Sequence, residues 1–381
     1  MFYITVPDIR YRQITIEDVL FDRDVTCGAS YSTKTAKVGY IEDDFRKKFP
    51  LSLVVERLKT FNEINAQLFK AERHSLYNQF KIPKAKGGWR QIDAPNDTLK
   101  YALVDLKNIL ESYYMNPNHA AAYAYVKHRS TLDCAKFHQQ NKSRWFLKID
   151  FSNFFGTSTE DFVISQLKMI YPYCLFFENK EHEAELRKAL SLCFLDGSLP
   201  QGTPMSPMLT NIIMLPIDFE LSRLFAGKKP HCLYTRYADD IQISCRYDFR
   251  YSEAIEDIRR VLKEFNAPYI IKPEKTRYGS SAGSNWLLGV MLNKDNEITI
   301  GHKKKKELKT ILNCFMYDNI NGKTWDLGEV RHLAGLISYY TSIEGEKITH
   351  IINSYSNKFG TPVEGVIKKL LGAEPNKKSC L

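Results

Sequence analysis

Two acidic sites sit inside apolar sequence. Asp150 closes the run Leu147-Lys148-Ile149-Asp150, and Asp239 and Asp240 follow Tyr237-Ala238 between two alternating stretches. Carboxylates at the ends of apolar strands are costly to bury unless they are paired or bound to a cation. Taken singly, each has a plain explanation: a strand-end Asp can cap the next helix, and Asp-Asp is a common hairpin turn. Taken together they fit nucleotidyl transfer. That chemistry uses two divalent ions, one at the attacking 3′-hydroxyl and one at the leaving pyrophosphate. Mg²⁺ takes a few carboxylates and leaves its other positions to water and phosphate oxygens. The two sites are far apart in the chain, so only a fold that pairs their strands would serve.

The elements needed to do this are visible as patterns. Residues 144–151 read as a buried strand, and 232–246 as a hairpin around a turn at Ala238-Asp239-Asp240. A second hairpin runs from Phe80 to Ile92 around Gly87-Gly88. Helical periodicity marks 51–77, 98–114, 159–171, 181–195 and 252–265. Residues 269–271 and 285–300 read as strands. From about 303 the chain is helical (303–317, 327–342, 346–358 and 362–371), so an α/β part gives way to an all-α tail near 301.

Composition sets bounds. The 381 residues suffice for two or three subdomains around a large core, and the excess of basic residues (+10) suits a polyanionic partner. The eight cysteines include no C-x-x-C pair, which argues against structural zinc and reads as reduced core thiols. The N-terminus lacks a basic-then-apolar leader pattern, and no run reaches the roughly 18 apolar residues of a membrane span. A cytoplasmic protein with no membrane partner is the expectation. His128, His138 and His332 are isolated and suggest no nucleophilic triad.

Against this background the residues resemble a known family. Tyr237-Ala238-Asp239-Asp240 is similar to the Y-x-D-D box of reverse transcriptases, and Asp150-Phe151-Ser152-Asn153-Phe154-Phe155 to their first palm motif. Leu199-Pro200-Gln201-Gly202 through Ser206-Pro207, with Asn211, resembles the L-P-Q-G-x-x-x-S-P loop. Lys272-Pro273-Glu274-Lys275-Thr276 and Leu287-Leu288-Gly289-Val290 are similar to the next two motifs. Ile82-Pro83-Lys84 through Gly88-Trp89-Arg90-Gln91-Ile92 resembles the fingers hairpin. The motifs keep the family's order over residues 80–300. The N-A-x-x-H and V-T-G boxes of retron enzymes stand here as Cys134-Ala135-Lys136-Phe137-His138 and Leu287-Leu288-Gly289. These departures turn the expectation toward defence-associated bacterial relatives, which act against phage and often work with a noncoding RNA.

The resemblance implies an α+β right-handed fingers–palm–thumb polymerase with an antiparallel palm sheet. Its parts would be an N-terminal extension of unknown role (1–50), fingers (51–145), palm (146–301) and helical thumb (302–381). Asp150, Asp239 and Asp240, with the Phe151 carbonyl, would hold two Mg²⁺ ions, for which Mn²⁺ is a possible substitute. Phe155 would exclude a 2′-hydroxyl, and Lys84 and Arg90 would bind the triphosphate. Gln201 and Gly202 would meet the incoming nucleotide, and Lys275 would protonate the leaving pyrophosphate. Lys303, Lys304, Lys305 and Lys306 place positive charge at a helix start, against the macrodipole, which points to a phosphate-contacting face. The implied activity is RNA-directed DNA synthesis from dNTPs on an RNA template. A template-independent or protein-primed polymerase and a non-catalytic, maturase-like RNA-binding scaffold are the alternatives.

Overall fold

Alternation builds the central sheet. Trp145–Asp150 forms its middle strand, hydrogen-bonded to Asp240–Cys245, which in turn pairs with Cys232–Tyr237; Arg277–Ser280 flanks the middle strand on its other side. The two pairings that set the site are antiparallel, with Asp150 opposite Asp240 and Tyr237 opposite Asp240. Side chains opposite one another share a face. One face therefore carries Phe146, Lys148 and Asp150 beside Ser244, Gln242 and Asp240. The other carries Leu147, Ile149, Ile241, Ile243, Tyr234 and Arg236, and packs on the helix Leu215–Gly227. In a computed structural model of the chain, the residues described are 5–6, 9–10, 51–84, 87–113, 118–281 and 286–372. The expected extension over 1–50 lies outside them apart from two two-residue strands, Thr5–Val6 and Ile9–Arg10.

The chain divides into two compact units. One contains the residues up to Ser130 and Trp145–Tyr278; the other contains Thr131–Arg144 and the residues from Gly279 onward. This division differs from the boundary expected near 301 and from the expected place of 131–144 in the fingers. The difference has a physical source: the helix Thr131–Gln140 buries Cys134, Ala135 and His138 within the second unit, where Gln139 and Asn296 exchange hydrogen bonds. Burial pushes the His138 imidazole down to about 3, so it is neutral.

In the first unit, helices Leu51–Ile64, Asp97–Tyr113 and Lys180–Ser191 and the strands share one apolar core. Two helices that periodicity did not mark, Met205–Ile213 and Leu215–Gly227, run through it. The first of them is buried over eight of its nine residues, Ser206, Thr210 and Asn211 included, so its polar positions do not mark a solvent face. The stretch 269–271, expected as a strand, contributes only one bridge, Phe151 to Ile271.

The second unit is chiefly helical, with a core of Leu308, Leu312, Phe315, Val330, Leu333, Ile348 and Val363. The expected helices 327–342 and 346–358 form one element, Leu327–Phe359, capped by a box at Asp326 and Glu329 and broken inside at Glu344 (φ −132°, ψ 58°). The Glu344 carboxylate is buried. Its Oε2 accepts from the Ile300 backbone N–H (2.8 Å) and the Thr299 hydroxyl (2.9 Å), and Oε1 accepts from Lys305 Nζ (2.7 Å). It thus places negative charge at the start of the helix Gly301–Ile320, where the lysine run opposes the dipole. Burial alone would raise its pKa, but the Lys305, Ile300 and Thr299 hydrogen bonds outweigh burial and hold it below the usual carboxylate range. A lowered folded-state pKa gives stability that is complete above the unfolded value and is lost as pH falls through the folded one. Glu344→Gln is expected to cost this unit roughly 2–3 kcal/mol at neutral pH and to flatten its acid sensitivity, as read by hydrogen exchange over 301–359.

Candidate active site

The catalytic-type carboxylates meet through strand register. Asp150 ends the middle strand opposite Asp240, and the Phe151 N–H donates to the Asp239 carbonyl at 3.1 Å. Asp239 occupies a two-residue turn with Ala238, whose φ is +56°. The turn is shorter than the sequence suggested, because Asp240 is already the first residue of its strand. Its strained Ala238 is held from below: Arg236 Nη1 donates to the Ala238 carbonyl (3.3 Å). Arg236 is fully buried. Its Nε and Nη2 donate to the equally buried Asp218 at 2.7–3.1 Å, and Nη2 also reaches Asn211 Oδ1 (3.1 Å). Tyr234 Oη adds a fourth bond to Asp218 at 2.7 Å.

Cations attend the carboxylates. Lys275 Nζ donates to both oxygens of Asp150 (2.9 and 3.0 Å), Lys272 Nζ to Asp150 Oδ1 (3.0 Å), and Lys148 Nζ to Asp240 Oδ2 (3.0 Å). Asp240 Oδ1 is buried with no hydrogen-bond partner. Desolvation, then the charges of Asp240 and Asp150, raise the Asp239 carboxyl. Desolvation also raises Asp240, against the pull of Lys148. Among the described residues no three His, Cys, Asp or Glu side chains form a metal cluster. The chemistry of the set nonetheless fits a hard divalent cation: all its donors are oxygens, one buried oxygen is unpartnered, and two carboxyls carry charge that a cation would relieve.

The expected nucleotide-side residues lie in the same unit as this cluster. Tyr77–Pro83 and Trp89–Pro95 form the expected hairpin, whose turn uses Gly87 and Gly88 at φ +88° and +82°. Lys84 and Arg90 are exposed on it. Phe155 is half-buried against Phe154, with ring centroids 5.6 Å apart. The Gln201 carbonyl accepts from the Asp93 N–H (2.8 Å), which ties its loop to the hairpin. Gly202 has φ +126°, and a Cβ there would stand 3.0 Å from Ile92 Cγ2 and 3.1 Å from the Asp93 carbonyl oxygen. Gly202→Ala is therefore expected to shift the hairpin and lower kcat/KM for nucleotide addition by about 10²-fold with little loss of folded protein, a result steady-state kinetics and a thermal melt would check together.

Two findings lie beyond the sequence reading. Lys148 and Lys272 stand with Lys275 on the carboxylates; Lys148 occupies an outward strand position that looks like ordinary solvent-facing alternation, and its register opposite Gln242, beside Asp240, was the only available signal. In the second unit, Lys304 donates to the Gly289 carbonyl (2.6 Å) and Lys305 is paired with Glu344, so the run 303–306 is not a uniform free face. Lys303 and Lys306 are its less engaged members: Lys303 is exposed and Lys306 carries the Thr310 hydroxyl on its carbonyl. No helix among the described residues is long and apolar enough to cross a membrane.

Comparison with known proteins adds to the geometry. Residues 82–313 match the model of the family "Reverse transcriptase (RNA-dependent DNA polymerase)". The chain is 28% identical over 301 residues to the Retron Ec83 reverse transcriptase of Escherichia coli, covering 76% of this chain and 89% of that protein. It is 28% identical over 285 residues to the Retron Ec73 reverse transcriptase of the same organism, covering 73% and 86%. Among solved structures it is similar to apo telomerase from Candida Tropicalis, at 13% identity and a TM-score of 0.41, over 60% of this chain and 55% of that one. With its α+β architecture and a family model spanning more than half its length, the chain belongs to the reverse transcriptases: it is a retron-like RNA-directed DNA polymerase of fingers–palm–thumb fold, which makes DNA on an RNA template with a divalent metal.

Proposed function

We propose that this polymerase makes cDNA from dNTPs by two-metal transfer at Asp150, Asp239 and Asp240, on a dedicated noncoding RNA and in the service of antiphage defence. The observation that carries the site is the register that sets Asp150 opposite Asp240 with Asp239 in the adjoining turn. These carboxylates, with the Phe151 carbonyl, are the residues that would hold Mg²⁺ (or Mn²⁺); bound there, the ions supply Lewis acidity toward the 3′-hydroxyl and charge neutralisation at the pyrophosphate. The protein's own groups do the rest. Arg90 and Lys84 orient the triphosphate from the hairpin, Gln201 and Gly202 border the base and sugar, and Phe155 faces the sugar's 2′ position. Lys275, an ammonium raised above its usual range by its Asp150 hydrogen bond and charge despite desolvation, has a proton to give to the leaving pyrophosphate.

The dedicated template draws on the likeness to retron reverse transcriptases over most of their length, and the defence role on the departures at residues 134–138 and 287–289. The test is sequencing of the nucleic acid that copurifies with the wild-type protein and with an Asp239→Ala, Asp240→Ala variant. One defined RNA in both, with complementary DNA only in the wild type, is the expected outcome. DNA of one repeated base, or DNA linked to the protein, would replace the templated reading with an untemplated or protein-primed one. RNA without DNA in both would point to a scaffold.

A further inference from the structure

Tyr125 is 55% exposed, yet its backbone stands at φ +62°. For a bulky residue that conformation is a backbone outlier. Such strain persists only where the surroundings over-determine it, and it concentrates at functional sites. The surroundings here are unusually complete. Arg129 Nη1 donates to the carbonyls of His119 (3.0 Å), Ala120 (2.7 Å) and Ala122 (2.7 Å). Asn211 Nδ2 donates to the Ala124 carbonyl at 2.9 Å. The Tyr123 N–H donates to the Arg236 carbonyl (2.9 Å), and the Arg236 N–H to the Ala121 carbonyl (2.8 Å). The segment carrying Tyr125 is thus bolted to Arg236, which also donates to the Ala238 carbonyl beside Asp239, and to Asn211, which accepts from Arg236.

All this machinery delivers one aromatic ring to one place. Tyr125 and Phe155 have ring centroids 6.4 Å apart at 54°. Partial burial raises the Tyr125 phenol, and the charge of Asp239 raises it further while Arg90 opposes, so the hydroxyl stays neutral. Phe155 on its own is only half-buried, and a half-buried ring has room to turn unless a neighbour backs it.

We infer that Tyr125 is a positioning residue for sugar selection: its ring backs Phe155 and holds that ring against the 2′ position of the incoming nucleotide. The inference rests on the reading of Phe155 as the sugar-facing residue. It also accounts for the strain, since a relaxed backbone at 125 would not deliver the ring beside Phe155.

The test is single-nucleotide addition on a short primer–template by the full chain, measuring kcat and KM for a dNTP and the matching rNTP. Variants are Tyr125→Phe, Tyr125→Gly and Phe155→Ala, each with a thermal melt. Glycine relieves the positive φ while removing the ring, so Tyr125→Gly is expected to fold at least as well as a variant that keeps the strain. It is expected to lower the dNTP-over-rNTP ratio of kcat/KM by about 10-fold or more, mainly by admitting the rNTP, while Tyr125→Phe keeps the wild-type ratio. If Phe155→Ala lowers the ratio and Tyr125→Gly leaves it unchanged, the role of Tyr125 is overturned and that of Phe155 stands. If neither changes the ratio, the sugar-facing reading of Phe155 fails first. A Tyr125→Gly enzyme slowed equally on both nucleotides would make Tyr125 merely structural and overturn the inference.

Discussion

Asp239→Asn is expected to slow nucleotide addition by about 10³-fold or more and, at neutral pH, to raise the melting temperature. The first effect follows from the proposed role: a carboxylate that holds a cation at the reacting phosphate acts on charge that develops in the transition state, where a neutral amide is a poor substitute. The second follows from the direction of its pKa. Desolvation and the charges of Asp240 and Asp150 raise the Asp239 carboxyl, so the folded protein holds the proton more tightly than the unfolded chain does. For an acid shifted in this direction, stability falls as pH rises through the two values, and above them the ionised carboxylate is a standing cost. Asparagine removes that cost. The two signs together are diagnostic, because damage to the fold would lower activity and melting temperature in step. Melts with and without millimolar Mg²⁺ sharpen the test: the ion should stabilise the wild type and have less effect on the variant. A variant that keeps its polymerase activity would remove Asp239 from the machinery.

Asp218→Ala is expected to destabilise the first unit by about 3–5 kcal/mol, because it leaves the Arg236 guanidinium buried without its counter-ion. Arg236 is fully buried, so no rotamer offers it water. In a unit of this size that corresponds to a fall in melting temperature of about 10 °C. The informative companion is the double replacement Asp218→Leu with Arg236→Met. Buried ion pairs can be exchanged for apolar side chains with little loss, so most of the stability should return. Activity should stay low, because methionine cannot donate to the Ala238 carbonyl that Arg236 supports below Asp239. Recovery of full activity along with stability would show that the ion pair serves the fold alone.

The acidic cluster was legible because its signal is local: an Asp closing an apolar run, and an Asp pair between alternating strands, are conspicuous where burial disfavours charge. The hairpin at Gly87-Gly88 and the long helices were legible for the same reason. What escaped depends on partners remote in sequence. Lys272 and Lys148 read as ordinary polar positions until register places them on Asp150 and Asp240. Lys305 looked like part of a free basic face because its partner, Glu344, sits at a helix break in a different element. The helix Met205–Ile213 was hidden by being short and buried on nearly every side, its polar Ser206, Thr210 and Asn211 included. Tyr125 carried no sequence signal, since a strained φ is written in the loop's hydrogen bonds and not in the residue type.

The excursion of Thr131–Arg144 into the second unit has a consequence in time. A ribosome makes this segment before residues 145–278, yet its packing partners come only after them. At about 5–20 residues per second, the wait is on the order of ten seconds. Throughout it, Cys134, Ala135 and His138, all destined for a core, have nothing to close over them. The first unit, once Tyr278 has emerged, already holds every residue of the carboxylate cluster. Maturation of the nascent enzyme is thus ordered, with the reacting centre assembled first and the helical unit completed last.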